Sequence, residues 1–158
     1  MRPRLYLETT IPSYLVARPS NDLRLAADQQ TTREWWETRR GDFDLFVSEA
    51  VLREVRRGDP QLAGARLAAL RGIPVLPALR AAEGLAERLL CEGIIPAIAA
   101  DDAAHLGLAA ANAMDYLLTW NCRHINNPTL ERRIARACAA CGLPYPVACT
   151  PAELMEVI

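Results

Sequence analysis

The stretch from residue 100 to residue 121, ADDAAHLGLAAANAMDYLLTWN, carries the reading of the fold. Its first half is rich in alanine and leucine, strong helix formers, and runs to about Met114. Either Asp101 or Asp102 opens that helix, since a short acid at a helix start caps free backbone N–H groups. The second half, Tyr116-Leu-Leu-Thr-Trp, is apolar on successive residues rather than on alternate ones. A strand of that kind expects cover on both faces, as in a parallel sheet.

The same alternation extends outward in both directions. Arg4-Leu-Tyr-Leu reads as a first strand that stops at Glu8, with Thr9, Thr10 and then Ile11-Pro12 opening a helix. Residues from Asp22 to about Arg40 form a polar helix carrying Trp35 and Trp36. Asp44-Leu-Phe-Val is a second strand. Ser48 caps a helix running through Glu54 and ending at Gly58. Asp59-Pro60 then starts another helix, with aspartate as cap and proline at the first position. Ile73-Pro-Val-Leu is a third strand, and residues from Leu79 to Glu92 form an amphipathic helix. Asn127-Pro128 starts a helix that reaches about Ala140 and is stopped by Gly142. A short strand from Pro144 to Ala148 follows, and Thr150-Pro-Ala-Glu153 has the spacing of a capping box. Strand and helix alternate throughout, which predicts one α/β domain over residues 1–158, a three-layer α/β/α sandwich around a central parallel sheet.

Composition agrees and narrows the function classes. The chain has 158 residues, enough for one domain, and 51% of it is hydrophobic. The net charge is −1, so no global positive field advertises nucleic acid, and RNA binding would need a local basic face. No apolar run approaches the ~18 residues of a membrane span, and no secretory signal opens the chain. Five cysteines, an odd number, are expected to be reduced thiols in a cytoplasmic protein. Cys138-Ala-Ala-Cys141 has no second Cys/His pair to make a zinc site and reads as incidental.

In open parallel sheets, ligands bind beyond the carboxyl ends of the strands. The residues placed there are Glu8 after the first strand, Ser48 with Glu49 and Glu54 after the second, and Thr119, Trp120 and Asn121 after the fourth. Asp101 and Asp102 open the helix leading into that fourth strand. Carboxylates gathered at one edge repel one another unless a hard cation neutralises them, and Mg²⁺ or Mn²⁺ suits oxygen ligands. Each acid also has a structural explanation. Glu49 sits in a first helical turn, where the helix dipole favours it. One of Asp101 and Asp102 is accounted for as a cap. Glu54 lies beside Arg53 and Arg56. Glu8 is the hardest to explain away, because it ends a strand that should be buried.

The segments LYLETTIPSYL, SEAVLREVRRGDP, ADDAAHLGLAAANAMDYLLTWNCRHINN and CTPAELMEV together resemble the PIN-domain superfamily, in particular its VapC-like branch. The resemblance spans nearly the whole chain in order, and its most specific part is the Asp-x-x-His helix followed by Leu-Leu-Thr-Trp-Asn. It implies a metal-dependent endoribonuclease, the toxin of a toxin-antitoxin pair, forming a homodimer and blocked by a cognate antitoxin. It assigns Glu8, Glu54 and Asp102 to Mg²⁺ or Mn²⁺, and gives Thr119 and Asn121 the task of orienting water or a phosphate oxygen. Glu49, His105 and Arg123 are accessory candidates. The sequence departs from the family where Glu8 replaces the usual aspartate and Asn121 a frequent one. Those departures define the alternative, a PIN-fold module that binds RNA or a partner protein and cuts weakly. His105, one helical turn after Asp102, faces the same side and reads equally as a packed histidine bonded to an acid. His124 reads as a loop residue. A phospho-receiver domain would need a late lysine, and the chain contains none.

Overall fold

A computed structural model describes residues 1–156; Val157, the last residue of the CTPAELMEV segment, lies outside the described residues, as does Ile158. The strands are β1 (Arg4–Leu7), β2 (Asp44–Ser48), β3 (Val75–Leu76), β4 (Tyr116–Leu118) and β5 (Val147–Cys149). The helices are α1 (Thr10–Val16), α2 (Leu23–Thr38), α3 (Glu49–Val55), α4 (Pro60–Ala69), α5 (Arg80–Cys91), α6 (Ala100–Ala111) and α7 (Pro128–Ala140). All strand pairs are parallel and the sheet order is β3-β2-β1-β4-β5, so the α/β/α sandwich with a central parallel sheet is the observed architecture.

The strand sequences explain the layering. Leu5, Tyr6 and Leu7 are all fully buried, as are Leu117 and Leu118, which a strand covered on both faces requires. Around them α1 packs on α2 and α4, and α5 packs on α6 and α7. Trp35 fills the core against Phe43, while Trp36 stays half-buried with Arg40 over its ring.

Local signals place most boundaries. Asp22, Ser48, Asp59 and Asn127 each accept a backbone N–H in the first turn of the helix they cap. Gly58 takes φ +83° just beyond α3, a conformation open to glycine at no steric cost. Several expectations change, and the last strand lies at Val147–Cys149 rather than over Pro144 to Ala148. Thr9 makes no side-chain cap for α1, because its backbone is already helical at φ −58° and ψ −28° rather than extended as a capping residue's usually is. Neither Asp101 nor Asp102 caps α6, which begins at Ala100 with both acids inside its first turn. The third strand shrinks to two residues, since Pro74 has no N–H to give and contributes only its carbonyl, to Val47 N.

The order of the strands locates the site. The chain runs outward from β1 through β2 to β3, then crosses back to β4 on the other side of β1. The connections therefore diverge between β1 and β4, and an open α/β sheet has its ligand crevice at such a divergence. The residues leaving the carboxyl ends of those two strands are Glu8 and Thr119.

Candidate active site

Glu8 and Thr119 meet across that crevice. Glu8 N–H donates to Leu118 O at 3.1 Å, extending the ladder one residue past the strand. The Glu8 side chain is 4% exposed, and its Oε2 accepts from Thr10 N and Thr10 Oγ1, both at 2.7 Å, and from Thr119 Oγ1 at 3.3 Å. Burial pushes the Glu8 pKa above the ordinary carboxylate value, and the charge of Glu54 adds to the rise; His105 and the bonds from Thr10 oppose it without cancelling it.

Glu54 comes from α3 and meets α6 through His105. His105 Nε2 lies 2.7 Å from Glu54 Oε1, and Nδ1 lies 2.7 Å from Tyr6 Oη. Tyr6 Oη is in turn 2.7 Å from Ser48 Oγ, which also accepts Val51 N–H at 3.3 Å. Tyr6, Ser48 and His105 are buried, and half-buried Glu54 ends the chain at the crevice. Burial alone would raise the Glu54 pKa, but the hydrogen bond and charge of His105 outweigh it, and the carboxyl is held below its usual range. Burial alone would lower that of His105; the bond to Glu54 and the charges of Glu54, Glu8 and Asp102 lift it above the usual histidine value. Thr9 Oγ1 lies near Glu54, buried and without a well-formed hydrogen bond.

Asp102, one turn before His105 on α6, is paired with the other histidine. Asp102 Oδ2 lies 2.9 Å from His124 Nδ1. Asn121 builds the turn that brings His124 there, because its Oδ1 accepts His124 N–H at 3.0 Å and Arg123 N–H at 3.3 Å. Asn121 N–H donates to Thr119 Oγ1 at 2.9 Å. The amide of Asn121 thus shapes the backbone of this loop.

A common pattern emerges from these bonds. Each of the three acids commits one oxygen to the protein: Oε2 of Glu8, Oε1 of Glu54, Oδ2 of Asp102. The other oxygen of each accepts no well-formed hydrogen bond among the described residues. The three come from a strand end, α3 and α6; Glu54 bears electrically on Glu8, and all three bear on His105. Among the described residues, no three His, Cys, Asp or Glu side chains are arranged as a ready metal cage. The donor set still fits a hard cation, which takes oxygen ligands and commonly needs only one or two carboxylates beside water and phosphate.

The accessory candidates separate. His105 is brought into the site as a buried link. Glu49 is exposed in the first turn of α3 and lines a shallow apolar groove with Arg53, Leu79 and Ala82, apart from Glu54. Arg123 is exposed on the Asn121 turn. Asp101 stands in solvent 3.7 Å from Arg57. Asp115 accepts Arg4 N–H at 2.7 Å, at the far end of the sheet. Sequence reasoning passed over Tyr6, Thr10 and His124. A tyrosine in the middle of a strand buried on both faces needs a partner for its hydroxyl, and that was the available signal for Tyr6. Asn121 followed three residues later by His124 was a turn signal, but nothing local says the turn aims at Asp102.

No family model matches the chain, and no curated protein is significantly similar to it. Among the described residues, no helix is long and apolar enough to cross a membrane.

Proposed function

We propose that this protein is a PIN-like, metal-dependent endoribonuclease whose reacting centre is the Glu8–Glu54–Asp102 edge. The observation that supports this reading best is the shared state of the three acids, each with one oxygen tied to the protein and one left unbonded. None of the three free oxygens is among the sealed, unpartnered polar atoms of the described residues, so each opens to solvent, where a cation could reach it.

Glu8, Glu54 and Asp102 are the residues that would hold Mg²⁺ or Mn²⁺, with Thr9 Oγ1 and Thr119 Oγ1 nearby as neutral oxygens. The chemistry such a cation supplies when bound is a water made acidic enough to act as hydroxide, and neutralisation of charge on the phosphodiester. The chain's own residues do the rest. His105 and His124 keep two carboxylates in place, and Thr10 and Thr119 fix the third. Arg123, exposed on the Asn121 turn, would meet a backbone phosphate. The resemblance to VapC-like proteins extends the proposal to an RNA substrate, a cognate antitoxin, a homodimer and a cytoplasmic setting.

Purified protein with Mn²⁺ and structured RNA tests the reading. Cleavage is expected, with Glu54→Gln and Asp102→Asn each slowing it by about 100-fold or more, the scale on which removing one transition-state contact acts. Cleavage unaffected by either substitution would overturn the assignment of the site. RNA binding without cleavage would instead identify a non-catalytic binding module.

A further inference from the structure

The bonds running inward from Glu54 carry an inference beyond the carboxylates themselves. Ser48, Tyr6 and His105 come from the end of β2, the middle of β1 and the middle of α6, so three elements meet in one line of contacts at 2.7 Å. His105 has no second use available to it. Both ring nitrogens are engaged and the side chain is 1% exposed, which keeps it from touching substrate.

The protons in this line can be arranged without leaving any unpartnered. Val51 N–H donates to Ser48 Oγ. With His105 neutral, the Ser48 hydroxyl donates to Tyr6 Oη, Tyr6 donates to His105 Nδ1, and His105 Nε2–H donates to Glu54 Oε1; with His105 charged, Nδ1–H donates to Tyr6 Oη and Tyr6 to Ser48, and the bond from Nε2–H to Glu54 is unchanged. The core thereby dictates which way the imidazole faces, and the imidazole dictates which Glu54 oxygen is occupied. A glutamate has three side-chain torsions, and held only by its own helix it would sample many positions for its carboxyl. Burial of a tyrosine hydroxyl, a serine hydroxyl and a histidine in an apolar core is costly unless the set is fully bonded. Apolar residues would serve the fold as well, so the polar line needs another reason.

We propose that Tyr6 and His105 are positioning residues for Glu54: they lock its Oε1 and thereby hold Oε2 ready as a cation ligand. The inference rests on the reading of this edge as a metal site. It also sets Glu54 apart from Asp102, whose histidine is fixed only by the surface turn at Asn121. Glu54 is the rigid member of the pair and Asp102 the adaptable one.

Mn²⁺ binding to the whole protein, followed by titration calorimetry without RNA, tests the proposal. The variants are Tyr6→Phe, His105→Leu and His105→Gln, each checked for a cooperative melt. Tyr6→Phe and His105→Leu are expected to weaken Mn²⁺ binding by about 10–100-fold, the usual effect of losing a partner that orients a metal ligand. His105→Gln, which can place an amide N–H near the lost Nε2–H, is expected to recover much of that loss. Should His105→Leu fail to fold, Tyr6→Phe and His105→Gln still decide. Wild-type affinity in a folded Tyr6→Phe and in whichever His105 variants fold overturns the positioning role and leaves the metal site standing. Absence of Mn²⁺ binding by the wild-type protein overturns the metal site, and the positioning role with it.

Discussion

The Glu8 carboxyl is buried, bonded through one oxygen, and shifted above the usual glutamate value of 4.5. An acid raised in this way contributes most to folding below its unfolded value and loses that contribution as pH rises through its folded value. Glu8 therefore weighs against the fold at neutral pH, the cost of keeping a carboxylate in the crevice. Glu8→Gln is expected to raise the melting temperature at pH 8 while changing it little at pH 4, by about 2–4 °C for each kcal/mol relieved. The same variant should lose the stabilisation that Mn²⁺ confers on the wild type. Thermal melts at both pH values, with and without Mn²⁺, check both parts. His105 and Glu54 have their own window. Glu54, held below 4.5, contributes above that value and loses its contribution as pH falls through the depressed one; His105, held above 6.5, contributes below that value and loses it as pH rises through the raised one. Their pairing is thus fully in place between 4.5 and 6.5. In a Glu8→Gln background, stability should still decline on the alkaline side, and adding His105→Gln should flatten that decline. A decline unchanged by the second substitution would contradict the pairing.

Among the elements, α6 matters most, because it brings both Asp102 and His105. It lies unusually close to α5 at Gly107, where a Cβ would run into the Ala82 carbonyl oxygen. Backbone on one side leaves nothing flexible to give way. Gly107→Ala is expected to destabilise the protein by about 1–3 kcal/mol, as overpacking does, and to weaken Mn²⁺ binding by moving α6. Asn127→Ala provides the contrast. It removes the cap of α7, where Asn127 Oδ1 accepts Thr129 N–H at 2.9 Å, and should cost about 1 kcal/mol with Mn²⁺ binding intact. Denaturant unfolding beside metal titration separates the two; a Gly107→Ala protein as stable as wild type would refute the close packing.

For the molecule as a whole, the net charge of −1 means that the RNA of the proposed function would have to be met by a local face. The exposed arginines at hand are Arg53, Arg56 and Arg57 on and just after α3, and Arg123 on the Asn121 turn. RNA affinity should fall with salt at a slope that loses about 0.7 for each single-strand phosphate contact removed. Arg123→Ala is expected to lower the slope by one such step, measured by filter binding across a salt series with a non-cleavable RNA. An unchanged slope would remove Arg123 from the interface.

The sequence by itself determined the α/β class, the parallel sheet and nearly every helix start. Those features follow from contacts within a few residues, such as the Asp59-Pro60 and Asn127-Pro128 caps, and from the unbroken apolarity of strands such as Leu5-Tyr-Leu. Counting along the chain also gathered Glu8, Glu49, Glu54, Asp101 and Asp102 as acids beyond strand ends or at helix starts, and the resemblance to PIN domains chose Glu8, Glu54 and Asp102 among them. Only the tertiary structure decided what holds those acids. Tyr6 meets Ser48 42 residues away and His105 99 away, and His124 meets Asp102 22 residues upstream. Such pairings depend on strand order and on the packing of α3 and α6 around β1, and no local pattern records them. The same holds for Asp101 and Asp102, adjacent in sequence and alike as helix-start acids. A rotation of one residue on α6 sends the first to solvent near Arg57 and the second to His124.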